Sequence, residues 1–165
     1  MATLSITPTS QISADNDVVT AGIFIAAPRE RIFEALTDPQ QAVSWWGQSS
    51  NYRFTDFQMD VRVGGRWSSS GKSEKMGDNI TVEGEFLEID PPRRLAYTWL
   101  SSWMPVITRV FWELESQAKG TVVKLTHTGF AGNAEMAKGH SIGWTLVLGW
   151  LQAFVGKGET VTSRN

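Results

Sequence analysis

Residues 133–156, NAEMAKGHSIGWTLVLGWLQAFVG, decide the fold. Asn133 offers a side-chain oxygen to the first free N–H groups of a helix, and Gly156 with Gly158 supplies a left-handed stop at the far end. Between them Met136, His140, Gly143, Trp144, Val147, Trp150, Leu151 and Phe154 recur three and four residues apart and draw one apolar stripe along the cylinder. At about 1.5 Å per residue such a helix is roughly 34 Å long, enough to cross a whole sheet. A helix gripped by a curved sheet leaves room between the two. The stretch therefore predicts a container and says nothing of its contents.

The sheet is legible upstream. The last strand places Val123, Leu125 and His127 on one face, and Lys119-Gly120 marks the hairpin before it. Val110, Trp112 and Leu114 share a face in the preceding strand, as do Leu95, Tyr97 and Trp99 after the turn at Pro91-Pro92. Residues 81–89 alternate through Val82, Gly84 and Phe86 until Leu87 and Ile89 break the pattern as a bulge does. Gly64-Gly65 turns residues 52–63 into a strand carrying Trp67, and residues 72–78 are polar enough for a mobile loop. A first strand spans residues 17–26. Two short helices follow it: one begins at Pro28 and buries Ile32, Phe33 and Leu36, and the other is capped by Asp38, with Gln41 reaching back, and ends at Gly47. The expected organisation is a loose extension over residues 1–16, one domain over 17–158 and a tail over 159–165.

The 165 residues suit one domain with a real core. A net charge of -2 with no basic cluster gives no footprint for nucleic acid. Without cysteine there is no disulfide framework or thiolate site, and a cytoplasmic location is compatible. No apolar run approaches the ~20 residues of a membrane span. No phosphate loop, nucleophile elbow or zinc signature appears, so neither cofactor nor metal is expected and no catalytic residue is assigned. Eight tryptophans are the compositional outlier.

The ordered set Ala27-Pro28 with Ile32-Phe33, Asp38-Pro39, Trp45-Trp46-Gly47, Asp60-x-Arg62-x-Gly64-Gly65, Gly84-Glu85, Asp90-Pro91-Pro92, Leu95-x-Tyr97-Thr98-Trp99, Gly120-Thr121, Thr126-His127-x-Gly129-Phe130 and Gly143-Trp144 carries a likeness. Over about residues 18–154 the chain resembles the AHSA-type family, named after the activator of the heat-shock-protein-ninety ATPase, within the START-like, SRPBCC superfamily. The resemblance implies an α+β helix-grip fold shared with lipid-transfer domains, birch-pollen-type allergens and polyketide cyclases. In that fold a curved antiparallel sheet of about six or seven strands wraps the long C-terminal helix. It implies a cavity and no particular reaction.

Candidate lining residues are Trp67, Trp99, Trp112 and His127 from the sheet, with Met136, His140, Trp144, Val147 and Leu151 from the helix. Large flat rings with a few placed polar groups make a small-molecule pocket, or simply fill a core. Trp144 and Trp150, six apart, diverge by about 120°, so only one of them faces a cavity. Asp60 and Arg62 point the same way from an extended segment, as a polar anchor for a ligand or, more simply, as a structural ion pair. The leading function is binding of a small apolar, aromatic or lipid-like molecule in an internal cavity. Two alternatives stand beside it: a cyclase- or hydrolase-like enzyme with His127 or Asp60 as base, and a protein-interaction or co-chaperone-like module docking through the sheet's outer face or the Trp45-Trp46 corner. A homodimer is compatible with the sequence.

Overall fold

One meander builds most of the sheet. The structure is a computed structural model that describes residues 5–164. Its elements in order are β1 (Thr9–Ile12), β2 (Val18–Ile25), α1 (Arg29–Thr37), α2 (Pro39–Trp45), β3 (Tyr52–Met59), β4 (Arg66–Ser73), β5 (Gly77–Asp90), β6 (Arg94–Ser101), β7 (Met104–Gln117), β8 (Gly120–Thr128) and α3 (Ala134–Lys157). Strands β3 to β8 follow one another antiparallel, and β8 then pairs with β2, giving the order β1-β2-β8-β7-β6-β5-β4-β3. This is the helix-grip architecture: a curved, unclosed sheet, two short early helices and a long final one. Helices α1 and α2 carry the chain from β2 to the far edge at β3.

Local chemistry explains the boundaries. Asn133 Oδ1 accepts from the Met136 N–H at 3.2 Å, and Gly158 adopts φ 68 to end α3. Asp38 Oδ1 accepts from Gln40 N–H at 2.9 Å to start α2. Gln41 does reach back, but to the Asp38 carboxylate rather than its backbone. Pro28 precedes the first helical residue of α1 instead of occupying it, its φ of -67 and ψ of 146 being extended. Register between β5 and β6 shifts between Phe86 and Glu88, which is the expected bulge at Leu87.

Three expectations change. The sheet has eight strands, because Thr9–Ile12, inside the expected loose extension, pairs with β2 and is tied to α3 by a 2.6 Å hydrogen bond between the Ser10 and Ser141 hydroxyls. An edge strand needs backbone partners more than an apolar pattern, so a Ser/Thr-rich stretch conceals it. Residues 1–4 of that extension lie outside the described residues. The expected mobile loop over residues 72–78 is mostly strand: β4 runs to Ser73 and β5 starts at Gly77, leaving a three-residue turn in which Ser73 Oγ accepts from the N–H groups of Lys75 and Met76. The C-terminal residues are docked: Val161 is buried, and Arg164 donates to the carbonyls of Trp45, Gly47 and Trp150 at 2.8, 2.8 and 3.1 Å. Asn165 lies outside the described residues.

At Gly84 on β5 the backbone of β6 and the Trp67 indole close in. A Cβ there would lie 1.9 Å from the Thr98 carbonyl oxygen and 2.5 Å from Trp67 Nε1. Gly84→Ala is therefore expected to cost about 2–3 kcal/mol of folding stability, as overpacking does; urea denaturation measures it, and a loss under 0.5 kcal/mol would show that the sheet yields freely there.

Candidate functional site

Helix α3 packs chiefly on β1 and β2, and its N-terminal half stands beside the β6–β7 hairpin tip and the β4–β5 turn. Between them runs a groove of about 500 Å³. Its walls are Met136, Gly139, His140, Gly143, Trp144, Leu146 and Val147 of α3, Trp99 and Trp103 of the β6–β7 hairpin, Met76 of the β4–β5 turn, and Tyr52 at the start of β3. The surface is mostly apolar. Its charged contributors, Lys75, Glu135 and Lys138, are exposed.

The expected lining set divides. Trp99, Met136, His140, Trp144 and Val147 line the groove. Trp67, Trp112, His127 and Leu151 lie in a filled interior, at 6 % exposure or less. There the aromatic rings interlock: Trp144 lies 5.3, 5.9 and 6.0 Å from Trp99, Trp112 and Trp46, centroid to centroid. Trp150 packs instead on Tyr52 and under the Arg164 guanidinium, which settles which helix tryptophan faces the groove. Asp60 and Arg62 form an ion pair of 2.7 Å on the exposed turn after β3, outside the groove lining. The Trp45-Trp46 corner is buried, at 0 % and 5 %, and presents no docking surface. Sequence reasoning did not single out Trp103, Met76, Tyr52, Gly139 or Leu146. Trp103 sits in a two-residue hairpin turn, where no periodicity marks a functional ring.

The two histidines meet, with ring centroids 5.2 Å apart and planes perpendicular. His127, wholly buried on β8, accepts from Trp144 Nε1–H at its Nδ1 (3.0 Å). An indole N–H only donates, so Nδ1 carries no proton and Nε2–H donates to Thr108 Oγ1 at 2.7 Å. Thr108 in turn donates to the Trp99 carbonyl at 3.2 Å. Both ring nitrogens are therefore spent on structure, and His127 has no free nitrogen to serve as a base. Burial, then the neighbouring His140, holds its pKa well below the usual imidazole value. His140 is different. Its Nδ1–H donates to the Met136 carbonyl at 2.8 Å, leaving Nε2 as an acceptor met by Trp103 Nε1–H at a long 3.4 Å. Burial lowers its pKa as well, against a smaller upward pull from that carbonyl. Among the described residues no group of three or more His, Cys, Asp or Glu can hold a metal ion.

Comparison with known proteins agrees with the fold. The model of the family described as Activator of Hsp90 ATPase homolog 1-like protein matches residues 26–156. Similar solved structures include protein NE0264 from Nitrosomonas europaea (19 % identity, TM-score 0.75, covering 89 % of this chain and 98 % of that one). CalU16 from Micromonospora echinospora (21 %, 0.67, 95 % and 88 %) and protein Ms6760 from Mycobacterium smegmatis (20 %, 0.74, 90 % and 96 %) share the fold too. Comparison with curated proteins found no match.

Two predictions follow from the imidazoles. His127→Phe keeps the ring but orphans Trp144 Nε1–H, and is expected to cost about 2–3 kcal/mol in urea denaturation. Because both histidines titrate lower in the folded chain than in the unfolded one, the unfolded state binds more protons as pH falls below about 6.5. Stability is then full above about pH 6.5 and declines below it, by up to about 1.4 kcal/mol per pH unit for each histidine. A flat stability profile between pH 7.5 and 5 would show that the fold does not hold these rings neutral.

Proposed function

Since this chain belongs to the family of Activator of Hsp90 ATPase homolog 1-like proteins, whose fold typically binds ligands, we propose that it binds a small, largely apolar or aromatic molecule in the groove beside α3. One observation carries the reading. Gly139 and Gly143 stand four residues apart on the groove side of α3, and a Cβ on either would meet no atom within 4 Å. A glycine inside a helix costs about 1 kcal/mol relative to alanine. Two of them on one face, with no close packing to require them, preserve open volume at the expense of the helix. The exposed apolar side chains Met76 and Ile142, at 45 % and 56 %, support the same reading, since they edge this volume.

The enzyme alternative loses both bases first considered for it. His127 is sealed, and Asp60 is paired on a distant turn. Of the titratable groups that line the groove, Tyr52 is held protonated by burial with its hydroxyl accepting from Trp46 Nε1–H, and Lys75, Glu135 and Lys138 are exposed, which leaves His140 alone among the described residues as a buried base. Binding without chemistry is the reading this site favours.

Gly143→Leu places a side chain on the groove wall at a position where a Cβ meets no atom within 4 Å. It is expected to abolish binding of the fluorescent probe N-phenyl-1-naphthylamine while leaving Tm unchanged or raised by a few degrees. Unaltered probe affinity in that variant would place the binding site elsewhere. Native mass spectrometry of the protein from its own host would then identify the resident molecule.

A further inference from the structure

The polar atoms of the groove specify more than apolarity. Resting on the binding reading above, we propose that the ligand is a neutral hydroxylated aromatic, its O–H donating to His140 Nε2 and its oxygen accepting from Trp99 Nε1–H.

His140 supplies the acceptor. A carbonyl oxygen can only accept, so the 2.8 Å contact with Met136 fixes the proton on Nδ1 and leaves a lone pair on Nε2. The present partner of that lone pair, Trp103 Nε1–H at 3.4 Å, is beyond the usual hydrogen-bond range and comes from a half-exposed turn residue that can give way. Trp99 supplies the donor. It is 4 % exposed and lines the groove, and its Nε1–H has no partner among the described residues. Buried donors are rarely left so in folded proteins, because the orphaned group forfeits its hydration.

The two rings lie edge to face with centroids 6.4 Å apart on the groove wall, which puts an unpartnered donor and a weakly held acceptor in neighbouring rings. A hydroxyl is the smallest group that answers both. A carboxylate, ether or ketone brings only lone pairs and leaves Nε2 facing oxygen; an ammonium brings only donors and leaves the indole unpaired. Trp99, Trp103 and Trp144 around this point favour a flat aromatic frame over an aliphatic one.

Isothermal titration calorimetry of the full chain at pH 7.5 with 2-naphthol, naphthalene and 2-methoxynaphthalene tests the assignment. Naphthol is expected to bind about tenfold more tightly than either of the others, and His140→Phe to bring all three within about twofold. Should His140→Phe fail to fold, the Trp99 indole N–H resonance of the wild type is the second readout: it moves downfield with naphthol and not with naphthalene. Equal affinities, a preference that survives in His140→Phe, or an unmoved Trp99 resonance overturns the hydroxyl anchor and leaves the groove reading intact. If none of the three compounds binds, the groove reading falls and this proposal with it.

Discussion

The contact on which the molecule depends is the hydrogen bond from Trp144 Nε1–H to His127 Nδ1. It begins a relay that passes through Thr108 to the Trp99 carbonyl and so joins α3 to β8, β7 and β6 in turn. A neutral buried hydrogen bond adds only about 1 kcal/mol net, but leaving one of these groups unpaired costs about 1–3 kcal/mol. The relay therefore acts mainly by making alternatives expensive. A helix rolled or shifted along the sheet strands an indole N–H and an imidazole nitrogen together. His127 stands opposite Val19 on β2 and Val110 on β7, all three fully buried, so no water can substitute for the missing partner.

Pinning the middle of α3 in this way decides where free volume can exist. The C-terminal half is locked further by Arg164, which donates to carbonyls of α2 and α3 and lies 5.9 Å from the Trp150 ring. Among the described residues the N-terminal half is held more lightly, by the Asn133 cap, the Ser10 hydroxyl and the long Trp103–His140 contact. With Trp46, Trp67, Trp99, Trp112 and Trp144 packed into the concave face, space under the helix is exhausted. What remains opens toward the hairpin tips, where Gly139 and Gly143 withhold side chains. The site is a groove beside the helix, and the interior beneath it is a core.

The same division explains what could be read from sequence. Regular elements announce themselves by periodicity, and the inward faces of β6, β7, β8 and α3 were legible because burial repeats every second residue in strands and at three- and four-residue spacing in helices. Whether an inward ring lines a void or meets another ring is a question of three-dimensional packing, to which period is blind. Trp99 and Trp112 read alike in sequence, yet one borders the groove and the other is covered by Trp144 and donates to the Tyr97 hydroxyl at 2.9 Å. Trp103 and Met76 lie in turns with no pattern at all. β1 escaped notice because its pairing is carried by backbone and one serine hydroxyl rather than by an apolar face.

On the binding reading proposed above, electrostatics sets the kind of guest the groove tolerates. Two imidazoles 5.2 Å apart repel by about 3 kcal/mol if both are charged, taking an effective dielectric constant near 20. His127 is further committed to neutrality by the indole donor it accepts, so the wall behind His140 offers no compensating negative charge. A cationic ligand would meet the same imidazoles without a carboxylate to pair with, Glu135 being exposed to solvent. An anionic ligand would find its counter-charges on Lys75 and Lys138, which are exposed as well, where attraction is weak and screened. Charge of either sign is thus held at the mouth and excluded from the aromatic wall. Selection inside the groove is left to shape, ring contact and the single unprotonated nitrogen of His140.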